Sequence, residues 1–255
     1  MRVVTWNVNG LRAAIRKGID RYVDDLDPDV LMLQEIRSLP EQLPKEWLDS
    51  LVREVTWHPA ERKGYSGVAT LTKGEHRVHG TGLAGADDPE GRVLVTLSHG
   101  WRFVNVYLPS GSSKPERQEV KEAWMDLFAA WTSTFVDDDV PTIIAGDLNI
   151  AHTERDIWNA KSNAKTSGFL PHEREWFSEW IAQGWTDSLR HLLGEMQGPY
   201  SWWSNRGRAR ELDRGWRIDY LMVNPAGSNR IKGSGIVRRG GLEVSDHAPV
   251  WLDLV

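Results

Sequence analysis

The sequence predicts an α/β fold built as two mixed β-sheets packed face to face, with helices covering their outer faces. Three observations predict it. Short apolar runs rich in β-branched residues recur along the chain, each bounded by Gly, Pro, Asn or Asp. Segments of helical periodicity alternate with these runs. No Gly/Ser/Pro-rich linker, low-complexity block or internal repeat interrupts the 255 residues, so one domain over residues 1–255 is the expected organisation.

The first run, Val3–Trp6, predicts a strand that begins almost at the N-terminus. A helical pattern follows from Leu11 to about Leu26 and stops before Pro28. Val30–Gln34, Val68–Leu71, Val93–Leu97 and Phe103–Leu108 read as the next strands. Pro115 is a helix start signal, and Glu116–Phe135 places Val120, Ala123, Leu127, Trp131 and Phe135 at helical spacing. Thr142–Ala145 is a strand. Pro171–Gln183 is a helix with Trp176, Phe177 and Trp180 on one face. Ile218–Val223 and Val250–Leu254 complete the strands.

Composition narrows the function classes. With 40% hydrophobic and 26% charged residues the chain is an ordinary globular protein. It has no cysteine, which excludes disulfides, a zinc ribbon and a thiol nucleophile. Met1-Arg2-Val3-Val4-Thr5-Trp6 lacks the sections of a signal peptide, and no apolar run reaches the length of a membrane span, so a soluble cytoplasmic protein is expected. The net charge of −5 argues mildly against a nucleic-acid partner, but binding depends on patches. Basic residues do cluster, at Arg12, Arg16 and Lys17, at Arg62 and Lys63, and between Arg206 and Arg217. Tryptophan is abundant at 14 residues; most should pack, and a few could stack on sugars or bases.

Four strand ends carry polar, metal-competent residues: Asn7 and Asn9; Gln34 and Glu35; Asp147 and Asn149; Ser245, Asp246 and His247. Each alone reads as a turn residue, a solvated charge or a local hydrogen-bonded pair. Their joint occurrence at strand ends points to a site held by a rigid scaffold. The donors are hard oxygens, which suits Mg2+ or Mn2+ rather than zinc. Glu35 with Asn7, and with Asp246 or Asn9, would suffice for magnesium. Such a set fits phosphate-ester hydrolysis. Asp147 would orient or deprotonate a water, Asn149 would donate to a phosphoryl oxygen, and His247, oriented by Asp219, would stabilise developing charge.

With these residues in place the chain resembles the exonuclease III family of abasic-site endonucleases, within the endonuclease/exonuclease/phosphatase superfamily. The matching segments are Thr5-Trp6-Asn7-Val8-Asn9-Gly10-Leu11-Arg12-Ala13, Leu33-Gln34-Glu35, Gly64-Tyr65-Ser66-Gly67, Tyr107-Leu108-Pro109-Ser110-Gly111, Gly146-Asp147-Leu148-Asn149-Ile150-Ala151-His152, Gly168-Phe169-Leu170-Pro171 with Glu173-Arg174, Gly215–Tyr220 and Ser245-Asp246-His247-Ala248-Pro249. The Asp-Leu-Asn and Ser-Asp-His blocks mark the superfamily. Gly-Trp-Arg-Ile-Asp-Tyr and Gly-Tyr-Ser-Gly narrow it to this branch, in its compact bacterial form without the N-terminal extension of animal relatives.

The resemblance implies a four-layered, DNase I-like α/β sandwich. It implies a magnesium-dependent phosphodiesterase, with Mn2+ able to substitute, that incises duplex DNA 5′ to abasic sites and acts on 3′ ends as a 3′–5′ exonuclease and end-cleaning enzyme. By resemblance Glu35 is the main metal ligand with Asn7 beside it, and Asp147, Asn149, Asp246 and His247 lie near or on the metal. Asp147, Asn149, Asp219 and His247 form the catalytic group. Tyr107 joins them, as a phosphate donor or as a phenolate near the metal. Arg12, Ala13 and Lys17 match a DNA-backbone-contacting first helix, Tyr65 a minor-groove wedge and Asn163 a phosphate contact. Trp202, Trp216 and Ile218 match a small apolar pocket for a flipped, baseless sugar. Trp203 is expected in the core. The chain departs from some relatives at Asn9, Ser110 and Thr166, where they have Asp, Asn or Gln, and Asn. The expected partner is DNA and the expected state a monomer. Two competing readings are a phosphoesterase of the same superfamily on a non-DNA substrate and a DNA-binding protein without catalysis.

Overall fold

The computed structural model describes residues 1–255. Twelve strands form two six-stranded sheets. The first sheet runs β11 (Ile231–Ile236), β12 (Val250–Leu254), β1 (Arg2–Asn7), β2 (Val30–Gln34), β4 (Val68–Thr72) and β3 (Glu54–His58). The second runs β5 (Arg77–Thr81), β6 (Val93–Ser98), β7 (Trp101–Tyr107), β8 (Thr142–Asp147), β10 (Asp219–Val223) and β9 (Thr186–Asp187). Each sheet contains one parallel pair, β1 with β2 and β7 with β8, and each pair is bridged by helix. Helices α1 (Leu11–Arg16) and α2 (Ile19–Leu26) bridge the first, and α4 (Pro115–Ser133) bridges the second.

Three apolar clusters make four layers of helix, sheet, sheet and helix. Between the sheets lie Val3, Val30, Met32 and Val250 from one side, and Phe103, Ile143, Leu221 and Val223 from the other. Beneath α1, α2 and α3 (Lys45–Ser50), the outward residues Val4, Trp6, Leu31 and Leu33 meet Leu11, Ile19, Tyr22 and Trp47. After the short helix α5 (Ala160–Asn163) comes α6 (Pro171–Ala182), and beneath α4 and α6, Val104, Val106, Ile144 and Met222 meet Met125, Phe128, Phe177 and Trp180. Both faces of the central strands are therefore buried, which is why they appear in sequence as near-continuous apolar runs. Each buried Val, Leu, Ile or Phe contributes about 1.5–3 kcal/mol of transfer free energy. No helix is long and apolar enough to cross a membrane.

The eight expected strands are present, shifted by a residue or two at their ends; Leu108 and Ile218 fall just outside β7 and β10. Two expectations are corrected. The helix read from Leu11 to Leu26 is two helices, because Gly18 adopts a left-handed φ of +80° and ends the first turn sequence. The inward face of α4 is also rotated from the expected one. Val120 and Leu127 are 48% and 63% exposed and Ala123 is exposed, whereas Lys121, Met125, Phe128 and Thr132 are buried. The inward stripe includes a charged residue because Lys121 Nζ meets Glu173 Oε1 of α6 at 2.5 Å, with both side chains fully enclosed. Of the expected face, Trp131 packs at its edge and Phe135 is buried just past the helix end.

Candidate active site

The two sheets present a polar mouth where their apolar interface ends. Along the second sheet the register aligns Phe103, Ile143 and Val223, then Asn105, Ala145 and Leu221, then Tyr107, Asp147 and Asp219. Side chains two apart share a face, so the last trio continues the inward face and replaces core with hydroxyl and carboxylates. The first sheet does the same with Val3, Thr5 and Asn7, and Glu35 follows the end of β2. Gln34, one residue earlier, is spent inside the interface: its Nε2 donates to Asn105 Oδ1 at 2.7 Å. The loop before β12 brings Asp246 and His247 over the same mouth.

The side chains form one network. Asn7 Nδ2 donates to Glu35 Oε1 at 2.8 Å and to Asp147 Oδ2 at 2.9 Å. Asp147 Oδ1 accepts from the backbone N–H of Asn149 at 2.9 Å, which fixes its orientation. His247 Nδ1 lies 2.9 Å from Asp219 Oδ2, and its Nε2 lies 3.8 Å from Asp147 Oδ2. Ser201 Oγ donates to the same Asp219 oxygen at 2.6 Å and accepts from the Asp219 N–H at 3.1 Å. Glu35 and Asn149 have φ of +50° and +51°, a left-handed conformation that non-glycine residues rarely accept, and both line the mouth.

Electrostatics follow from burial. Desolvation pushes Asp147 up to about 7; the facing His247 opposes this, and Asp219 and Glu35 add to it. For His247 burial pulls downward, but Asp219 and Asp147 outweigh it and raise the imidazole to about 10. These carboxylates favour the protonated ring, with Nδ1 against Asp219 and Nε2 facing Asp147 and the pocket. The Tyr107 phenol is raised well above its ordinary value, by burial first and then by the Glu35 and Asp147 carboxylates. In this field it is a neutral donor. The Arg92 guanidinium lies 4.6 Å over its ring, and Arg92 Nη1 donates to the Tyr107 carbonyl at 2.8 Å.

Of the six residues expected at a metal, Glu35, Asp147 and His247 converge, with ligand atoms within 4.8 Å of one another, and Asn7 joins the two carboxylates. Two turn aside. Asp246 accepts from Asn9 Nδ2 at 2.8 Å and from Trp202 Nε1 at 3.3 Å, and Asn149 Nδ2 donates to the Leu108 carbonyl at 2.8 Å. Two crowded buried carboxylates with an amide between them, and no sulfur, fit a hard divalent cation.

The pocket holds about 250 Å³, and Trp202, Trp216 and Ile218 form its apolar wall beside Asp147, Asn149 and His247. Trp202 and Trp216 pack edge to face at 5.9 Å. Trp203 is fully buried. A larger open hollow of about 480 Å³, lined by Glu75, His76, Arg77 and Trp101, lacks any comparable convergence of carboxylates.

The residues expected to bind DNA lie around this mouth in different states. Arg12 is exposed, and with Ala13 it lines a hollow next to the pocket. Lys17 Nζ is tied to the Val244 carbonyl at 2.9 Å. Tyr65 is half-buried, its hydroxyl accepting from Arg92 at 3.0 Å and Arg117 at 3.2 Å. Asn163 Nδ2 is turned back on the carbonyls of Trp158 and Asn159. Sequence reading missed Ser201, Lys121, Arg92 and Arg37. The adjacent Trp202 was the only signal for Ser201. Lys121, on an apparent surface helix, gave none.

Three comparisons bear on this site. The model of the Endonuclease/Exonuclease/phosphatase family matches residues 4–247. The chain is 36% identical to an exodeoxyribonuclease of Bacillus subtilis, over 99% of this chain and 98% of that one. It is 35% identical to a DNA-(apurinic or apyrimidinic site) endonuclease of Dictyostelium discoideum, over 98% of this chain and 69% of that one. Among solved structures it superposes on the 3′ phosphatase NExo of Neisseria bound to a product DNA hairpin, with a TM-score of 0.91 at 29% identity and coverage of 100% and 99%.

Proposed function

The chain belongs to the endonuclease/exonuclease/phosphatase family, and we propose that the buried mouth between its sheets is the phosphodiester-cleaving centre of a DNA repair nuclease that incises 5′ to abasic sites and resects or cleans 3′ ends. The observation that carries the reading is the placement of the His247 ring between two buried carboxylates, Asp219 and Asp147, beside Glu35 and against a tryptophan wall.

Each residue has work to do on a phosphodiester. His247, locked by Asp219, offers Nε2–H to a non-bridging oxygen and stabilises the charge that grows there. Asp147, with Oδ1 held by the Asn149 amide, accepts a proton from the attacking water on Oδ2, the oxygen that Asn7 Nδ2 also reaches. Burial raises this carboxyl, which makes it a stronger base than an exposed carboxylate. Tyr107 donates its phenolic proton to a second phosphoryl oxygen. Asn149 keeps one amide hydrogen for the phosphate, the other being held by Leu108. Glu35 and Asp147 would hold Mg2+, and Asn7 would join them through its amide oxygen, which accepts from the Asn9 N–H when no ion is bound; the ion neutralises phosphate charge and acidifies water when bound. Trp202, Trp216 and Ile218 would receive an extruded sugar. An abasic nucleotide is extruded at low cost because no base leaves the stack, and the wall would exclude a nucleotide carrying its base.

Competition tests the substrate class. Cleavage of a labelled abasic duplex should be inhibited by unlabelled abasic duplex and not by phosphoinositide. Inhibition by phosphoinositide alone would assign the site to another branch of the family.

A further inference from the structure

Arg37 stands between two sites. Its guanidinium pairs with Glu35 Oε2, the outer oxygen of a carboxylate whose inner oxygen is held by Asn7. It also lines a separate hollow of about 340 Å³ formed with Gly10, Arg12, Ala13, Arg16 and Gly64. That lining contains three guanidinium groups and no carboxylate. Neither Arg12 nor Arg16 makes an ion pair, and both are exposed. The Arg37 backbone is pinned, its N–H donating to the Ser66 carbonyl at 2.9 Å, while its side chain is 42% exposed. The long side chain can therefore swing about a fixed base.

We propose that Arg37 couples the metal centre to a backbone-phosphate subsite: a divalent cation taking Glu35 displaces the guanidinium, which then joins Arg12 and Arg16 around a phosphate of the DNA strand. The inference rests on the nuclease reading for the identity of the strand, but its core is a competition for one carboxylate oxygen. A cation at Glu35 repels a guanidinium and removes its partner. The nearest alternative anion is one bound in the hollow, where a planar fork suits phosphate oxygens. Metal and DNA should then strengthen each other's binding, and linkage requires the factor to be equal in both directions.

The test measures binding, not turnover. Mg2+ is titrated calorimetrically into wild type, Arg37→Ala and Arg37→Gln, without DNA. Loss of a half-exposed competing ion pair should tighten Mg2+ binding about three- to fivefold in both variants. Binding of a closed dumbbell duplex, which offers neither a 3′ end nor an abasic site, is then measured with Mg2+ and with EDTA. Wild type should bind it more tightly with Mg2+. Both Arg37 variants should lose that enhancement, whereas Arg16→Ala should weaken binding in both conditions and leave Mg2+ affinity unchanged. Unchanged or weaker Mg2+ binding in the Arg37 variants, or an undiminished enhancement, would overturn the coupling while leaving the nuclease reading intact. A wild-type protein that binds no divalent cation would remove both.

Discussion

Replacing Glu173 by Gln should destabilise the protein and disorder its catalytic loop together. Every neighbour of this carboxylate is a donor. Lys121 Nζ and Gln118 Nε2 reach Oε1 at 2.5 and 3.0 Å, and the Gly168 and Leu170 N–H groups reach Oε2 at 2.7 and 3.0 Å. A Gln of the same shape must turn its NH2 against two of those donors and leaves Lys121 charged, buried and without a counter-ion. Breaking one side of a buried pair costs about 3–5 kcal/mol. For a chain of this size that corresponds to a Tm lower by roughly 6–20 °C. The damage reaches the site because Lys121 Nζ also holds the Asn149 carbonyl at 2.9 Å. Cleavage should therefore fall even at temperatures where the variant stays folded. Lys121→Met should cost less, since Glu173 keeps its two backbone donors and Gln118. The double variant should be more stable than the sum of the single effects. Urea denaturation followed by tryptophan fluorescence gives all three values. A Glu173→Gln cost under about 0.5 kcal/mol, or strict additivity in the double variant, would refute the assignment of this pair as a coupled support for Asn149.

Other outcomes follow from the same geometry. Asp147→Asn and His247→Asn should each reduce single-turnover cleavage by about 10²–10⁴-fold while leaving affinity for abasic duplex largely unchanged; near-normal turnover in either would remove the role given to that residue. Asp156 is buried, which would raise its carboxyl, but the Arg217 and Arg190 guanidinium groups hold it below the ordinary carboxylate range. Its folded value lies below its unfolded one, so its contribution is complete above a pH of about 4 and is lost as pH falls further. Asp156→Asn should therefore be less stable at pH 7 and show a shallower loss as pH falls below about 4, as denaturation at each pH will report. Because Asp147 is raised to about 7, cation binding should expel a proton from it below that pH and little above it. Mg2+ affinity should therefore rise from pH 6 to 8, with buffer-dependent calorimetric heats at pH 6; flat affinity and buffer-independent heats would contradict this.

The strands that sequence reading missed are β3, β5, β9 and β11, and these are the two edges of each sheet. An interior strand buries both faces and appears as an unbroken apolar run. An edge strand pairs on one side only and is under no such demand. Arg77–Thr81 is mostly exposed, Ile231–Ile236 contains Gly233 and Gly235, and Thr186–Asp187 is only two residues long. The polar mouth was legible for the same reason: at the ends of apolar runs, Asn7, Glu35, Asp147 and Asp219 have no packing role to explain them. Lys121 and Arg37 were not legible. A buried ion pair joins two helices far apart in sequence, so Lys121 looks like a solvated helix residue until α6 is in place. Arg37 owes its position to a left-handed turn after Glu35 that sequence does not announce.

A labelled duplex with a single stable abasic analogue is incubated with Mg2+ or with EDTA and resolved on a denaturing gel with end-group analysis. The expected result is a Mg2+-dependent cut on the 5′ side of the analogue that leaves a 3′-hydroxyl, with shortening from 3′ ends on longer incubation. An intact strand in both Mg2+ and Mn2+ would contradict it.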